Sequence, residues 1–280
     1  MKRIFFIIIL ISVIAFECFS DPQENTPLYF GNPSSAVCDL AQEENYLMEK
    51  PQFVLSYNNK THNPNWVGWH LCKADFGEAE RSNKFRPDPD LPGEWYAVKK
   101  TDYKFPVYGF DRGHLCPSAD RTASAEDNSI TFLMTNMVPQ APDNNRIVWV
   151  DLENFERELV NQGNEAYIFA GPLGSGGSGE KGSYFEAIPI ANDQLSITVP
   201  AFTWKIILIL PEGEDDINRV TEESQVIAAC IPNQKDCHKN GSWQQYLCSI
   251  NDLEEKTGYN FFEFLPDDIE EKIESRVMSW

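Results

Sequence analysis

Asp111-Arg112-Gly113-His114-Leu115-Cys116-Pro117-Ser118-Ala119-Asp120 stands near the middle of the 280-residue chain. Thr131-Phe132 and Thr135-Asn136-Met137-Val138-Pro139-Gln140 follow it. Asn145, Trp149, Leu152-Glu153 and Arg157 close the constellation. A neutral histidine is well suited to take a proton from water near neutral pH. Arginine forks fit phosphate oxygens. Asparagine is a neutral oxygen ligand, and Mg²⁺ accepts one or two protein oxygens while keeping most of its waters. A neighbouring carboxylate can hold those waters. A metal suits the phosphoryl and leaving oxygens together. The set is the equipment for hydrolysing a phosphodiester with a divalent metal.

The spacing predicts a helix over 145–160. It contains no Gly or Pro, and Ile147, Val148, Val150, Leu152, Phe155, Leu159 and Val160 supply its apolar residues. Asn145, Trp149, Glu153 and Arg157 recur every fourth residue. Each such step turns roughly 400° on an α-helix, so the row drifts by only about 40° per step. An amide, an aromatic ring, a carboxylate and a guanidinium should then line one wall. Taken alone, this row reads as a solvated face with a Glu–Arg pair. The Asp-Arg-Gly-His stretch upstream turns it into the wall of a site.

These stretches, in this order and spacing, resemble the DNA/RNA non-specific endonuclease family. The resemblance continues in Ser56-Tyr57-Asn58, Asn65-Trp66-Val67, Trp69-His70, the arginine segment Arg81 to Asp88, and Phe169-Ala170-Gly171-Pro172. It covers roughly residues 50 to 265. It implies an α+β fold: a ββα-metal (His-Me finger) nuclease core within a largely antiparallel β-sheet flanked by helices. Residue by residue, it implies that His114 is the general base. Asn145 is the direct metal ligand, and Glu153 reaches the metal through water. Arg112, Asn136 and Arg157 contact phosphate or the transition state. One further arginine contributes, Arg81 or its rival Arg86, and Arg81 is preferred. Asp111 orders the turn rather than reacting. The implied cofactor is Mg²⁺, with Mn²⁺ or another divalent metal as substitute. The implied partners are DNA and RNA, single- or double-stranded, cut without sequence preference to 5′-phosphate and 3′-hydroxyl ends. A homodimer stays open. Two alternatives are an inactive nuclease-like binding module and a hydrolase of smaller phosphodiesters.

Charge points the other way. The chain carries 43 acidic against 23 basic residues, net −20, the wrong sign for steering a polyanion. Much of the acid lies outside the motif region, in Glu212 to Asp216, Asp252 to Glu255 and Asp267 to Glu274. Lys99, Lys100, Lys104, Arg112, Arg121, Arg146 and Arg157 fall in or near the catalytic half. The expectation is a locally positive cleft on an acidic body.

Lys2-Arg3 and the apolar run from Ile4 to Phe16 read as a signal peptide over 1–20, with cleavage after Ser20. The expected location is secreted or periplasmic, with no stable membrane association after cleavage. An irregular N-terminal arm over 21–45 and one nuclease domain over 46–280 follow. Export leaves Cys38, Cys72, Cys116, Cys230, Cys237 and Cys248, an even set that suggests disulfides, one of them in the C-terminal group. A zinc site with His238 is the weaker reading, because no Cys-x-x-Cys pair is present. Asn59-Lys60-Thr61 and Asn240-Gly241-Ser242 match the glycosylation pattern. Predicted strands are 52–57, 66–72, 105–110, 131–135, 166–170, 185–190, 203–210, 224–230 and 245–250; further helices are 250–257 and 266–276. The glycine run 174–179 reads as a strand connection, and Trp66, Trp69 and Trp95 as core residues.

Overall fold

The structure is a computed structural model and describes residues 24–278 except Asp193. The signal-peptide reading of 1–20 therefore lies outside the described residues. Among the described residues no helix is long and apolar enough to cross a membrane.

The chain begins with an antiparallel meander, β1 (Tyr46–Lys50), β2 (Phe53–Asn58) and β3 (Asn63–Leu71). It then leaves the sheet for α1 (Phe105–Tyr108), β4 (Asp111–His114), α2 (Ala125–Ile130), β5 (Met137–Gln140), a π-helical turn (Asn144–Trp149) and α3 (Val150–Asn161). It returns as β6 (Asn164–Leu173). Two small ribbons come next: β7 (Gly177–Ser178) with β8 (Tyr184–Phe185), and β9 (Ala187–Ile190) with β10 (Leu195–Thr198). The long β11 (Phe202–Pro211), short α4 (Asp216–Arg219), β12 (Gln225–Pro232), β13 (Leu247–Cys248), α5 (Ile250–Thr257) and α6 (Asp267–Glu274) complete the fold. One seven-stranded sheet results, in the order β1-β2-β3-β6-β11-β12-β13, with every neighbouring pair antiparallel.

This sheet is the middle layer, which explains the unbroken apolar run of β11. Successive side chains point to opposite faces, and both faces are covered. Ile207 and Ile209 pack with Trp69, Leu115, Trp149 and Leu152 on the side that carries β4 and α3. Trp204, Ile206 and Leu208 pack with Phe169, Phe261, Phe262 and Ile273 on the other. The 24–45 segment is mostly irregular, but it is docked on that second face. Phe30 is fully buried there, which contributes about 1.5–3 kcal/mol to holding the segment.

Several expected elements differ. Phe105 to Phe110 is not a strand. Pro106 suits the first turn of a helix, and Gly109 ends that turn at φ 74. Thr131 to Thr135 is not a strand either: the chain turns at Thr131, whose hydroxyl donates to the Asn128 carbonyl at 2.7 Å, and strand pairing starts only at Met137. Of 245–250, only Leu247–Cys248 pairs, because Ser249 already caps α5 by accepting from the Asp252 amide. The expected 185–190 strand is divided between β8 and β9, and β1, β4, β5, β7 and β10 are additional strands. All six described cysteines are free thiols, so the expected disulfides are absent among the described residues. Cys248 pairs in register with Ala228, which places it only diagonally across from Cys230.

Candidate active site

β4 and β5 form a two-stranded ribbon, and the π-helical turn and α3 follow directly: a ββα unit. In β4, Arg112 and His114 share one face, while Asp111 and Gly113 share the other. Gly113 lies opposite Val138, and a Cβ there would sit 2.0 Å from Gln140 Oε1, so only glycine fits this approach. Gln140 in turn donates to Asn144 Oδ1 at 2.7 Å. Asn144 reaches Thr203 Oγ1 at 3.0 Å and the Pro232 carbonyl at 3.1 Å. Asn233 accepts from the Ala141 amide at 2.6 Å and donates to the Pro139 carbonyl at 2.9 Å. These buried amides fasten the ββα unit to β11 and β12.

Arg81, Arg112, His114, Asn145, Arg146, Glu153 and Arg157 line one cavity of about 360 Å³. The described cavity thus gathers four guanidinium groups on a chain of strongly negative net charge. His114 is almost fully buried, and its Nε2 has no hydrogen-bond partner. Burial and the nearby Arg81 and Arg112 push its pKa down to about 3. The ring is therefore neutral near pH 7, as a base must be. Glu153 is also buried; burial pushes it up to about 7, against the pull of Lys205 and Arg157.

Two phenylalanines hold the basic groups in place. The His114 ring meets Phe132 edge-on at 4.8 Å and Phe85 at 5.5 Å. Arg112 stacks over Phe85 at 4.4 Å, and Arg81 over Phe132 at 4.9 Å. One aromatic pair, itself 4.9 Å apart, orients the histidine and two arginines. Phe132→Leu is expected to lower cleavage by about 10–100-fold, since small misplacements at a reacting centre carry such costs. Steady-state kinetics on a variant with unchanged circular dichroism tests this; wild-type activity would refute it.

The predicted side chains are placed as follows. Arg81 lies in the cavity, whereas Arg86 donates to the Ser129 carbonyl at 2.7 Å and braces a loop. Arg157 lies in the cavity and is anchored by Asp120 at 2.7 Å. Asn136 is a correction. It is wholly buried, accepts from the Cys116 amide at 2.9 Å, and donates to the Cys116 and Thr131 carbonyls at 2.8 and 2.9 Å. Its amide is consumed in holding the turn after His114, so it cannot touch phosphate in this arrangement. Trp149 is the second correction. It is buried in the core, not on the cavity wall. The π-helical turn turns less per residue than an α-helix, so the row of fours breaks after Asn145. Val150 takes the wall position, and Glu153 and Arg157 continue from it.

Sequence reading missed several contributors. Asp111 accepts from Asn145 Nδ2 at 2.9 Å and from Arg146 at 2.7 and 2.8 Å, so it orients the candidate metal ligand. Asp120 anchors Arg157 and accepts from Trp69 Nε1 at 3.0 Å. Phe85 and Phe132 stand inside the quoted motifs, but nothing in their spacing shows that they flank His114. The donor set fits a hard divalent cation. With its Nδ2 tied to Asp111, Asn145 has its amide oxygen left for a ligand, beside the Glu153 carboxylate in the same cavity.

Comparison with known proteins gives a consistent result. The family profile for DNA/RNA non-specific endonuclease matches residues 32–268. A "Nuclease" of Nostoc sp. is 45% identical over 256 residues, covering 91% of this chain and 87% of that protein. "Nuclease C1" of Cunninghamella echinulata var. echinulata is 30% identical over 249 residues, covering 87% and 90%. Among solved structures, a chain of the EndoG/EndoGI complex superposes with a TM-score of 0.65 at 23% identity, covering 85% of this chain and 91% of that one. This last likeness concerns the fold.

Proposed function

Because the chain belongs to the DNA/RNA non-specific endonuclease family, and is a nuclease, we propose that it hydrolyses phosphodiester bonds in both DNA and RNA with Mg²⁺, leaving 5′-phosphate and 3′-hydroxyl ends. The observation that carries this reading is His114 Nε2: buried, unpartnered, and in a cavity walled by four arginines and Asn145. In this reading His114 takes the proton of the attacking water. Arg112 and Arg157, with Arg81, bind the phosphate oxygens and offset the charge that grows on them. Asn145 would hold the cation by its amide oxygen, with the Glu153 carboxylate beside it in the cavity. The cation, when bound, would supply positive charge to offset that of the phosphoryl and leaving oxygens. No base-reading element enters the argument, because contacts to phosphate position a protein without conveying sequence. Lys2-Arg3 and the apolar run after it support export to the periplasm or the medium.

The test is cleavage of circular double-stranded DNA and of RNA by folded residues 21–280, with Mg²⁺ and with EDTA. Metal-dependent cutting of both polymers is expected. Folded protein that cuts neither with any divalent metal would favour an inactive binding module. Turnover confined to small nucleotide diesters would favour the smaller-substrate hydrolase.

The histidine's state is separately measurable. Imidazole NMR is expected to show His114 neutral from pH 8 down to pH 5, whereas an ordinary imidazole titrates near 6.5. Between about 6.5 and 3 the unfolded chain takes up a proton that folded His114 refuses, so this group makes folding less favourable as acid is added. A normal titration midpoint would contradict the buried, arginine-flanked site.

A further inference from the structure

A second cavity, of about 390 Å³, shares no lining residue with the first. His70 and Cys72 stand two apart at the end of β3, so both side chains leave the chain on the same face. A single 3₁₀ turn, Lys73–Asp75, brings Asp75 back to them. One ligand atom from each of the three lies within 4.8 Å of the others.

The surroundings suit a metal. His70 Nε2 is 3.0 Å from Glu165 Oε2, an arrangement that fixes ring orientation in metal-binding histidines and leaves Nδ1 for coordination. The Cys72 sulfur accepts the Asp75 backbone N–H, which favours a thiolate. Asp75 meets Arg121 at 3.2 Å through Oδ1 and accepts from the Cys72 amide at 2.9 Å through Oδ2. A carboxylate has about four lone-pair positions, so these two contacts leave room for coordination. No disulfide occupies Cys72.

We propose that His70, Cys72 and Asp75 form a second metal site, distinct from the Asn145 site. One nitrogen, one sulfur and one oxygen donor select a borderline cation of the Zn²⁺ class over Mg²⁺, with tetrahedral geometry completed by water from the open cavity. Binding releases one proton, from the thiol. The site ties the end of β3 to the turn after it, and it does not depend on the nuclease reading.

Co²⁺ titration of the mature, metal-free chain tests this, because a thiolate-to-cobalt charge-transfer band reports sulfur ligation and the Asn145 site holds no sulfur. One equivalent should give the band, and Zn²⁺ should bleach it. Cys72→Ser should abolish the band and weaken Zn²⁺ binding by more than the about 10–100-fold that loss of an outer partner brings. Asn145→Ala should keep the band. Zn²⁺ should raise Tm in the wild type and not in Cys72→Ser or in Asp75→Asn, which guards against one variant misfolding. Absence of the band in folded wild-type protein would overturn the proposal. So would its persistence in Cys72→Ser, which would move the metal to other cysteines.

Discussion

His114→Ala is expected to lower cleavage of DNA and RNA by about 10²–10⁴-fold, the range carried by a positioned general base. In the proposed mechanism the loss falls on kcat, since His114 would act on water and the arginines proposed to hold phosphate remain. Asn145→Ala should cause a loss of similar direction for a different reason, and part of it should return at raised Mg²⁺ concentration. Asn145→Asp is not a safe substitute. It removes the donor to Asp111 at 2.9 Å and places two carboxylates together, with only Arg146 between them in charge. The double variant His114→Ala/Asn145→Ala should be little worse than the weaker single one, because the two residues serve one step. Rates on both polymers, with circular dichroism as the folding control, test these statements. Activity surviving in His114→Ala at near the wild-type rate would remove His114 from the mechanism.

The second large effect concerns stability. Lys205→Met is expected to destabilise the fold by about 3–5 kcal/mol, the cost of breaking a buried ion pair by removing one partner. Lys205 Nζ lies 3.0 and 3.2 Å from the two oxygens of Glu156, and both residues are fully buried. The ammonium also faces the rings of Trp149 at 4.7 Å and Trp69 at 5.3 Å. Burial already drives Glu156 well above the usual carboxylate range, and Lys205 is the main influence holding it down. Without Lys205 the carboxyl takes a proton and stays buried without its donor. Lys205→Met/Glu156→Leu should recover much of the loss, because apolar residues of similar volume can replace such a pair. Urea unfolding at pH 7 measures both. A single variant within about 0.5 kcal/mol of wild type, the range of an ordinary surface change, would show that the pair contributes nothing net. Lys205 also pulls down Glu153, so its loss should raise the Glu153 midpoint above about 7, although Lys205 lies outside the catalytic cavity.

Much of the site was legible because its chemistry is written in side-chain types at fixed separations. That Arg112 and His114 share one strand face was not, because the strand was expected at 105–110 and forms at Asp111–His114 instead. The acidic composition misled only in bulk, since a net charge says nothing about where charges converge. Arg81 and Arg86 could not be separated in sequence: both are arginines in one extended segment, and the difference is that Arg86 is tied to the Ser129 carbonyl. Asn136 illustrates the opposite failure. A motif amide reads as a ligand or a contact, and only the surrounding carbonyls reveal that its hydrogen bonds are already spent.

By itself, then, the sequence determined the α+β class, the long buried strand β11 inside the sheet, the helix after Asn145, and most of the polar residues that converge on the cavity. Local pattern suffices for these, because helical and strand periods and donor chemistry are properties of short stretches. Tertiary structure alone decided which wall each residue occupies. The π-helical turn moved Trp149 into the core and Val150 to the cavity. The Phe85–Phe132 pair, the Asp111 and Asp120 anchors and the Lys205–Glu156 pair join residues from separate segments. Such contacts depend on how the ββα unit lies against the central sheet, and that packing is a property of the whole chain.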